Sequence, residues 1–182
     1  MKLINTNIND LYILKPNLFE DDRGCFFEPY NKINFDLNLG RFNFVQDNIS
    51  KSVKDTVRGL HFQNPPYTQS KLVTCFKGEI LDVSVDLRLN SKTYGHINYT
   101  ILNDINNLQL FIPKGFAHGF SVLSENAIVY YKVDNYYNKK YENGILWNDN
   151  HLNIDWKINS DNAIISKKDS NWHSFHNMKN PF

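Results

Sequence analysis

The chain has 182 residues with 20 basic and 19 acidic side chains, so its formal net charge is +1. With 41% hydrophobic residues it can build a real core in one domain of ordinary size, which excludes a fully disordered chain. The near-zero net charge argues against a general binder of nucleic acid or of membrane surfaces.

Most of the predicted elements are β-strands. The first predicted element is nevertheless a short helix over residues 31–40, which ends at Gly40. Beyond it, alternation with a period of two predicts strands, most clearly where leucine and valine alternate with Asp82, Ser84 and Asp86. We interpret Asp82 and Asp86 as acidic residues on a sheet face and assign them no chemistry. The predicted strands cover residues 70–76, 78–88, 97–102, 108–112 and 127–133.

The C-terminal part of the chain is less regular. Residues 136–182 are expected to wrap against the β core rather than form a second domain, so residues 1–182 are read as one domain. Ser166 has the residue type of an N-cap, with Asp169 three residues further on, which predicts a second short helix. Many short strands at close spacing are typical of an antiparallel sandwich or barrel, so the fold class is mainly β with a few short helices.

The cellular compartment is predicted from what the sequence lacks. No apolar stretch approaches the roughly 20 residues of a membrane helix. The N-terminus carries Asn and Asp where a signal peptide needs apolar residues. Cys25 and Cys75 are expected to be free thiols in a reducing compartment. We therefore expect a cytoplasmic protein with no membrane partner and no nucleic-acid partner.

Polar residues suited to chemistry concentrate at residues 58–63, at Lys71 and at residues 113–118. The last segment has the Pro-x-Gly-x-x-His turn that resembles the second motif of cupins, which are small antiparallel jelly rolls. The positions that hold a metal in metal cupins would be His61, Gln63, Lys71 and His118. Because a lysine ammonium repels a dication and a glutamine amide binds weakly, we expect no metal and no cofactor. The remaining His, Lys and His suit proton transfer and anion stabilisation.

Seven collinear blocks make the resemblance specific. The chain resembles the dTDP-4-dehydrorhamnose 3,5-epimerase family, metal-free cupins that act on nucleotide-linked 4-keto sugars. The resemblance implies an isomerase that works without a cofactor in surface-glycan biosynthesis, and a homodimer in which an N-terminal strand is exchanged between subunits. The matching blocks are FEDDRGCFFE (19–28), FVQDNISKS (44–52), VRGLHFQNPP (57–66), QSKLVTCFKGEILDVSVDLR (69–88), FIPKGFAHGF (111–120), YYKVDNYY (130–137) and ILWNDNHLNIDW (145–156).

The resemblance implies a role for each matching residue. His61 resembles the family's catalytic base, Asp169 the carboxylate that orients it, Lys71 the residue that stabilises the enolate oxygen, and Tyr131 the proton donor on the opposite face of the sugar. If residues 127–133 alternate as predicted, Tyr131 points into the barrel and Tyr130 points away. The positions where the family contacts nucleotide, pyrophosphate or sugar are Phe19, Arg23, Glu28, Gln46, Asn48, Arg58, His118 and Tyr137.

These residue types fit the reaction that the resemblance implies. A ketone at C4 acidifies the hydrogens on C3 and C5, because the resulting carbanion delocalises as an enolate. Inversion then needs a base on one face, an acid on the other and positive charge at the developing oxyanion. Three alternatives stay open: inversion at C3 alone or on another nucleotide-linked 4-keto sugar such as a heptose, a metal cupin acting as oxygenase or isomerase, and a non-catalytic sugar-binding jelly roll.

Overall fold

The computed structural model describes residues 1–182, which form thirteen β-strands, one α-helix and two short 3-10 helices. The strands are β1 (Lys2–Asn5), β2 (Tyr12–Lys15), β3 (Phe19–Asp21), β4 (Gly24–Phe26), β5 (Gln46–Val53), β6 (Val57–Gln63), β7 (Lys71–Lys77), β8 (Glu79–Asp86), β9 (Ile97–Asn103), β10 (Gln109–Ile112), β11 (Phe116–Val122), β12 (Asn126–Val133) and β13 (Glu142–Gly144). The helices are α1 (Lys32–Leu39) and the 3-10 helices Ser160–Asn162 and Asp169–Asn171. All five strands predicted from alternation are present, as β7, β8, β9, β10 and β12.

Two antiparallel sheets make up the body of the protein. The first has six strands in the order β1-β2-β10-β7-β12-β5, and the second has five in the order β13-β6-β11-β8-β9. β3 and β4 form a separate hairpin. Every pairing between these strands is antiparallel. The prediction of a mainly β, antiparallel sandwich is confirmed.

Strand β8 shows how the two faces of the second sheet are used. Its apolar side, which includes Leu81 and Val83, packs beneath C-terminal residues such as Trp156 and Phe175. Its other side lies towards the first sheet, where Ile80 joins the core between the sheets. Asp82, Ser84 and Asp86 lie on that inner side and are fully buried. Asp82 and Asp86 therefore lie on a sheet face, as interpreted, but that face is buried between the two sheets.

The two helix predictions have different outcomes. Asn31 caps α1 by accepting a hydrogen bond from the backbone amide of Asn34, and Gly40 follows its last residue with a φ of 90°, so the predicted helix over residues 31–40 is confirmed. At Ser166 the capping hydrogen bond forms, with the amide of Asp169 donating to the hydroxyl at 3.1 Å. The segment makes only one 3-10 turn, Asp169–Asn171, because Trp172 is extended, so the predicted second short helix is present but begins three residues after Ser166.

Strands β5, β6 and β11 carry much of the cavity and were not predicted. β5 reads QDNISKSV and has little apolar alternation, yet it pairs along its whole length with β12. Both cysteines are free, as expected, and burial raises the pKa of Cys75 to about 11. None of the helices has both the length and the apolar character needed to cross a membrane.

Candidate active site

A cavity of about 260 Å³ opens between the two sheets. β6 and β11 supply one wall, and β7 and β12 supply the other. Six of the predicted site residues line it, which are Arg58, His61, Lys71, His118, Tyr131 and Tyr137. The other lining residues are Ser50, Phe62, Gln63, Gln69, Phe120, Glu142 and Lys168.

His61 on β6 pairs with Asp169 across 108 positions of sequence. The Nε2 atom of His61 lies 2.7 Å from Oδ1 of Asp169. Burial acts to raise the pKa of Asp169, but its hydrogen bonds to His61 and to the amide of Gly59 outweigh burial, so the pKa lies below its ordinary value. An ionised Asp169 accepts the Nε2 proton and leaves the lone pair on Nδ1, which makes the ring a base.

Trp172 supports the His61 ring from the side. The two rings meet edge to face, with centroids 6.4 Å apart. The indole nitrogen lies against Gly144 on β13, which pairs with His61. A Cβ atom at Gly144 would come within 2.6 Å of that nitrogen, so only glycine leaves Trp172 in place.

Lys71 projects into the cavity from the start of β7. Its Nζ atom lies 3.5 Å from Nδ1 of His118. Burial lowers the pKa of Lys71 to about 8, although the carboxylates of Asp82 and Glu142 act to raise it. At neutral pH the side chain is therefore mainly an ammonium ion, held in a site where an anionic partner is strongly favoured.

Tyr131 faces the cavity from β12. It packs against the core between the sheets, whereas Tyr130 points the other way and stacks on Phe76 at a centroid distance of 5.4 Å, so the predicted alternation is confirmed. Burial raises the pKa of Tyr131, with Arg58 and Lys168 acting in the opposite direction. The phenol therefore keeps its proton at neutral pH and can donate it.

A second set of polar groups closes the cavity mouth. The hydroxyl of Tyr137 donates to Glu142 at 2.9 Å, and the other carboxylate oxygen of Glu142 lies 2.6 Å from Nζ of Lys168. Gln46 accepts from the amide of Tyr137 at 3.1 Å and donates to Asn48 at 2.7 Å. Gln46 and Asn48 are thus linked to the mouth through Tyr137, although neither lines the cavity itself.

Comparisons with known proteins identify the fold that carries this cavity. The model of the family described as dTDP-4-dehydrorhamnose 3,5-epimerase matches residues 5–177. The chain belongs to this family. The dTDP-4-dehydrorhamnose 3,5-epimerase of Shigella flexneri is 48% identical over 176 residues, which cover 96% of each chain. That of Escherichia coli strain K12 is 49% identical over 170 residues, covering 93% of this chain and 91% of the relative. A Streptomyces niveus dTDP-4-dehydrorhamnose 3-epimerase is 35% identical over 170 residues, covering 93% and 81%.

Solved structures of the epimerase family agree with this assignment. The dTDP-4-dehydrorhamnose 3,5-epimerase of Elizabethkingia anophelis has 49% identity and a TM-score of 0.93, covering 99% of this chain and 98% of that one. The dTDP-6-deoxy-D-glucose-3,5-epimerase of Legionella pneumophila, solved in complex with dTDP-4-keto-L-rhamnose, has 41% identity and a TM-score of 0.94, covering 98% and 94%. The predicted cupin-type fold and the prediction of an isomerase are confirmed.

Three residues expected to contact substrate in this epimerase-family chain lie away from the cavity. Phe19 is 60% exposed on the β3–β4 hairpin. Arg23 stands at the turn of that hairpin and pairs only with Asp21, at 2.6 Å. Glu28 follows the hairpin and lies beside Asn31. Within one chain the structure does not bring these residues to His61.

The family resemblance did not single out several residues that shape the epimerase cavity. Glu142 and Lys168 line it, and only the position of Lys168 next to Asp169 gave a signal. Gln63 was considered only as the counterpart of a metal position. Its amide group donates to the backbone carbonyls of Tyr67 and Tyr136 and accepts from the amide of Asn138, so Gln63 joins the two loops at the mouth.

The sequence pattern also did not place Asp82 near the site. Its Oδ2 atom lies 2.8 Å from Nε2 of His118, behind the cavity wall. No group of three or more His, Cys, Asp or Glu side chains has an arrangement that could hold a metal ion. The imidazoles of His61 and His118 are each paired with a carboxylate instead.

Proposed function

We propose that this protein catalyses the conversion of dTDP-4-dehydro-6-deoxy-D-glucose to dTDP-4-dehydro-L-rhamnose by inversion at C3 and C5. One observation carries the proposal: the His61–Asp169 pair, Lys71 and Tyr131 meet at one cavity, with His61 on one sheet and Lys71 and Tyr131 on the other. This arrangement supports a base and an acid on opposite faces of a bound sugar.

The proposed reaction uses these side chains in sequence. Nδ1 of His61 takes the proton from the carbon next to the ketone, and the electron pair of the broken C–H bond moves to the C4 oxygen as an enolate. The Lys71 ammonium stabilises that oxyanion. Tyr131 then gives its phenolic proton to the other face of the carbon as the ketone re-forms, and solvent re-protonates the phenolate. The proton on His61 is released to solvent, so no external electron donor or acceptor is needed.

The recognition residues are proposed to bind the nucleotide diphosphate. Arg58 is a forked donor suited to phosphate oxygens, and it lines the cavity beside His118 and Tyr137. Gln46 and Asn48, next to the mouth, offer amide groups to the nucleotide. The relative solved with dTDP-4-keto-L-rhamnose supports a dTDP-linked sugar as the substrate class.

We further propose a homodimer in which the exposed β3–β4 hairpin completes the site of the partner. The exposure of Phe19 and of Arg23 supports this, because both side chains can reach a second copy, although Arg23 also pairs with Asp21. Mixing the Arg23→Ala and His61→Asn variants tests it, because a mixed dimer contains one site with both residues intact. Recovery of activity is expected, and a mixture that stays as inactive as its components would refute the shared site.

Solvent exchange followed by NMR tests the reaction directly. In D₂O with dTDP-4-dehydro-6-deoxy-D-glucose, deuterium is expected at both C3 and C5. The His61→Asn variant should lose exchange but still bind dTDP, whereas His151→Asn, which changes an exposed histidine outside the cavity, should behave as wild type. Treatment with a chelator should leave the rate unchanged, and loss of activity with a removed metal would favour a metal cupin.

The same experiment distinguishes inversion at both centres from the second candidate function, inversion at C3 alone. The Streptomyces niveus 3-epimerase is a relative with that activity, but its 35% identity is lower than the 48% and 49% of the Shigella flexneri and Escherichia coli 3,5-epimerases. Deuterium at C3 without deuterium at C5 would establish it.

A further inference from the structure

Asp82 is a buried carboxylate with a single polar partner. It is fully buried in the middle of β8, and its Oδ2 atom lies 2.8 Å from Nε2 of His118. Its Oδ1 atom has no hydrogen-bond partner. A buried anion with so little compensation destabilises the fold unless a positive charge lies close to it.

His118 connects Asp82 to the lysine of the cavity. The ring is 7% exposed, and burial together with the nearby Lys71 and His61 lowers its pKa, although Asp82 acts to raise it. The neutral ring donates its Nε2 proton to Asp82, which leaves the Nδ1 lone pair facing the Lys71 ammonium 3.5 Å away. The three side chains therefore form a chain from carboxylate through imidazole to ammonium.

We infer that Asp82 is a positioning residue of the reaction, which acts through the His118 ring to hold the Lys71 ammonium in its direction and in its charged form. The inference rests on the proposed function, in which that ammonium stabilises the enolate. Asp82 acts on the orientation and charge of Lys71 and does not itself contact the substrate.

The other charged groups around Lys71 do not replace Asp82. Glu142 is the only other carboxylate that acts to raise the pKa of Lys71, and it already pairs with Lys168 and Tyr137. Asp82 has no lysine or arginine of its own. The titratable and charged side chains that line the cavity with Lys71 are His61, Arg58, His118, Tyr131, Tyr137, Glu142 and Lys168.

Asp86 shows what a purely structural carboxylate looks like on the same strand. It is also fully buried, but both of its oxygens are in use: Arg88 donates to each, and Ser91 and Thr93 donate to Oδ2. A structural role for Asp82 would lead us to expect a similar set of donors. Its single link to His118 indicates a role in the cavity instead.

The Asp82→Asn variant removes the charge while its amide oxygen can still accept from His118. The pKa of Lys71, followed by NMR of ¹³C-labelled lysine, is expected to fall below that of the wild type. The alkaline limb of the kcat profile should move to lower pH by the same amount. If that displacement is one pH unit, kcat at pH 9 falls by about tenfold, with a smaller loss at pH 7, while dTDP affinity stays within about twofold.

The Asp86→Asn variant is the matched control. It should lower stability without moving either the Lys71 titration or the alkaline limb. An Asp82→Asn variant with unchanged Lys71 titration would overturn the inference. Absence of exchange by the wild type would instead refute the proposed function, with the lysine titration still testing the link to Asp82.

A measurement on the wild-type protein covers the case in which Asp82→Asn does not fold. ¹⁵N NMR of the histidine rings is expected to show His118 as the Nε2–H tautomer, neutral from pH 7 to 9, because its pKa lies below the ordinary value. Detection of the Nδ1–H tautomer, or of an imidazolium in that range, would overturn the inference.

Discussion

Replacing Lys71 by methionine should raise the stability of the protein and lower its activity. Burial lowers the pKa of Lys71 from 10.5 to about 8. Because one pKa unit corresponds to about 1.36 kcal/mol, the shift from 10.5 to about 8 means that carrying the charge inside the folded protein costs about 3 kcal/mol. Methionine has a similar shape without the charge. We therefore expect Lys71→Met to raise the free energy of unfolding at pH 7 by about 2–3 kcal/mol, while losing about 10²–10³-fold in kcat with the oxyanion partner.

The stability difference between Lys71→Met and the wild type should depend on pH. The folded pKa is depressed, so between pH 8 and 10.5 the unfolded chain binds more protons than the folded one and the wild type gains stability as the pH rises. The advantage of Lys71→Met should be full below pH 8 and shrink to about 1 kcal/mol by pH 10.

Urea unfolding of both proteins from pH 6 to 10 measures this advantage directly. Lys51→Met, at an exposed lysine of the edge strand β5, is the matched control and should change stability by no more than about 0.5 kcal/mol. A Lys71→Met protein no more stable than the wild type at pH 7, or an advantage that does not shrink above pH 8, would refute the reasoning.

Three further substitutions test the surroundings of the base and the acid. Asp169→Asn should lower kcat by about 10²-fold or more, because the variant no longer holds the tautomer of His61. Since the folded-state pKa of Asp169 is depressed, the carboxylate's contribution to stability should be lost as the pH falls below 3.8. Urea titrations in acid should show this loss in the wild type but not in the variant. Tyr131→Phe should retain dTDP binding but slow product formation more than solvent exchange, and full double epimerisation would remove Tyr131 from the mechanism. Gly144→Ala should displace Trp172 and lower kcat, with tryptophan fluorescence and the exchange rate as the measurements; an unchanged rate would show that the indole does not support His61.

The orientation of site residues within one strand could be predicted from the sequence, but the pairing of residues far apart in the chain could not be derived from its pattern. Tyr131 was placed on the inner face by simple alternation, because successive side chains of a strand point to opposite sides. The pairing of His61 with Asp169 came only from the family resemblance, since 108 positions of sequence separate them. The hairpin with Phe19 and Arg23 matched a family block, yet it lies away from the cavity of its own chain.

The sequence by itself determined the alternating strands, the end of α1 at Gly40 and the motifs that mark the family, because each depends on residues close together in the chain. Only the tertiary structure decided that β5 is a strand, since its hydrogen bonds come from β12. The tertiary structure also decided the burial of Asp82. Alternation placed its carboxylate on the face of β8 opposite the leucines, but whether that face contacts water or another sheet depends on how the sheets pack. The second sheet is covered on both sides, so the polar face of β8 lies inside the protein, next to His118.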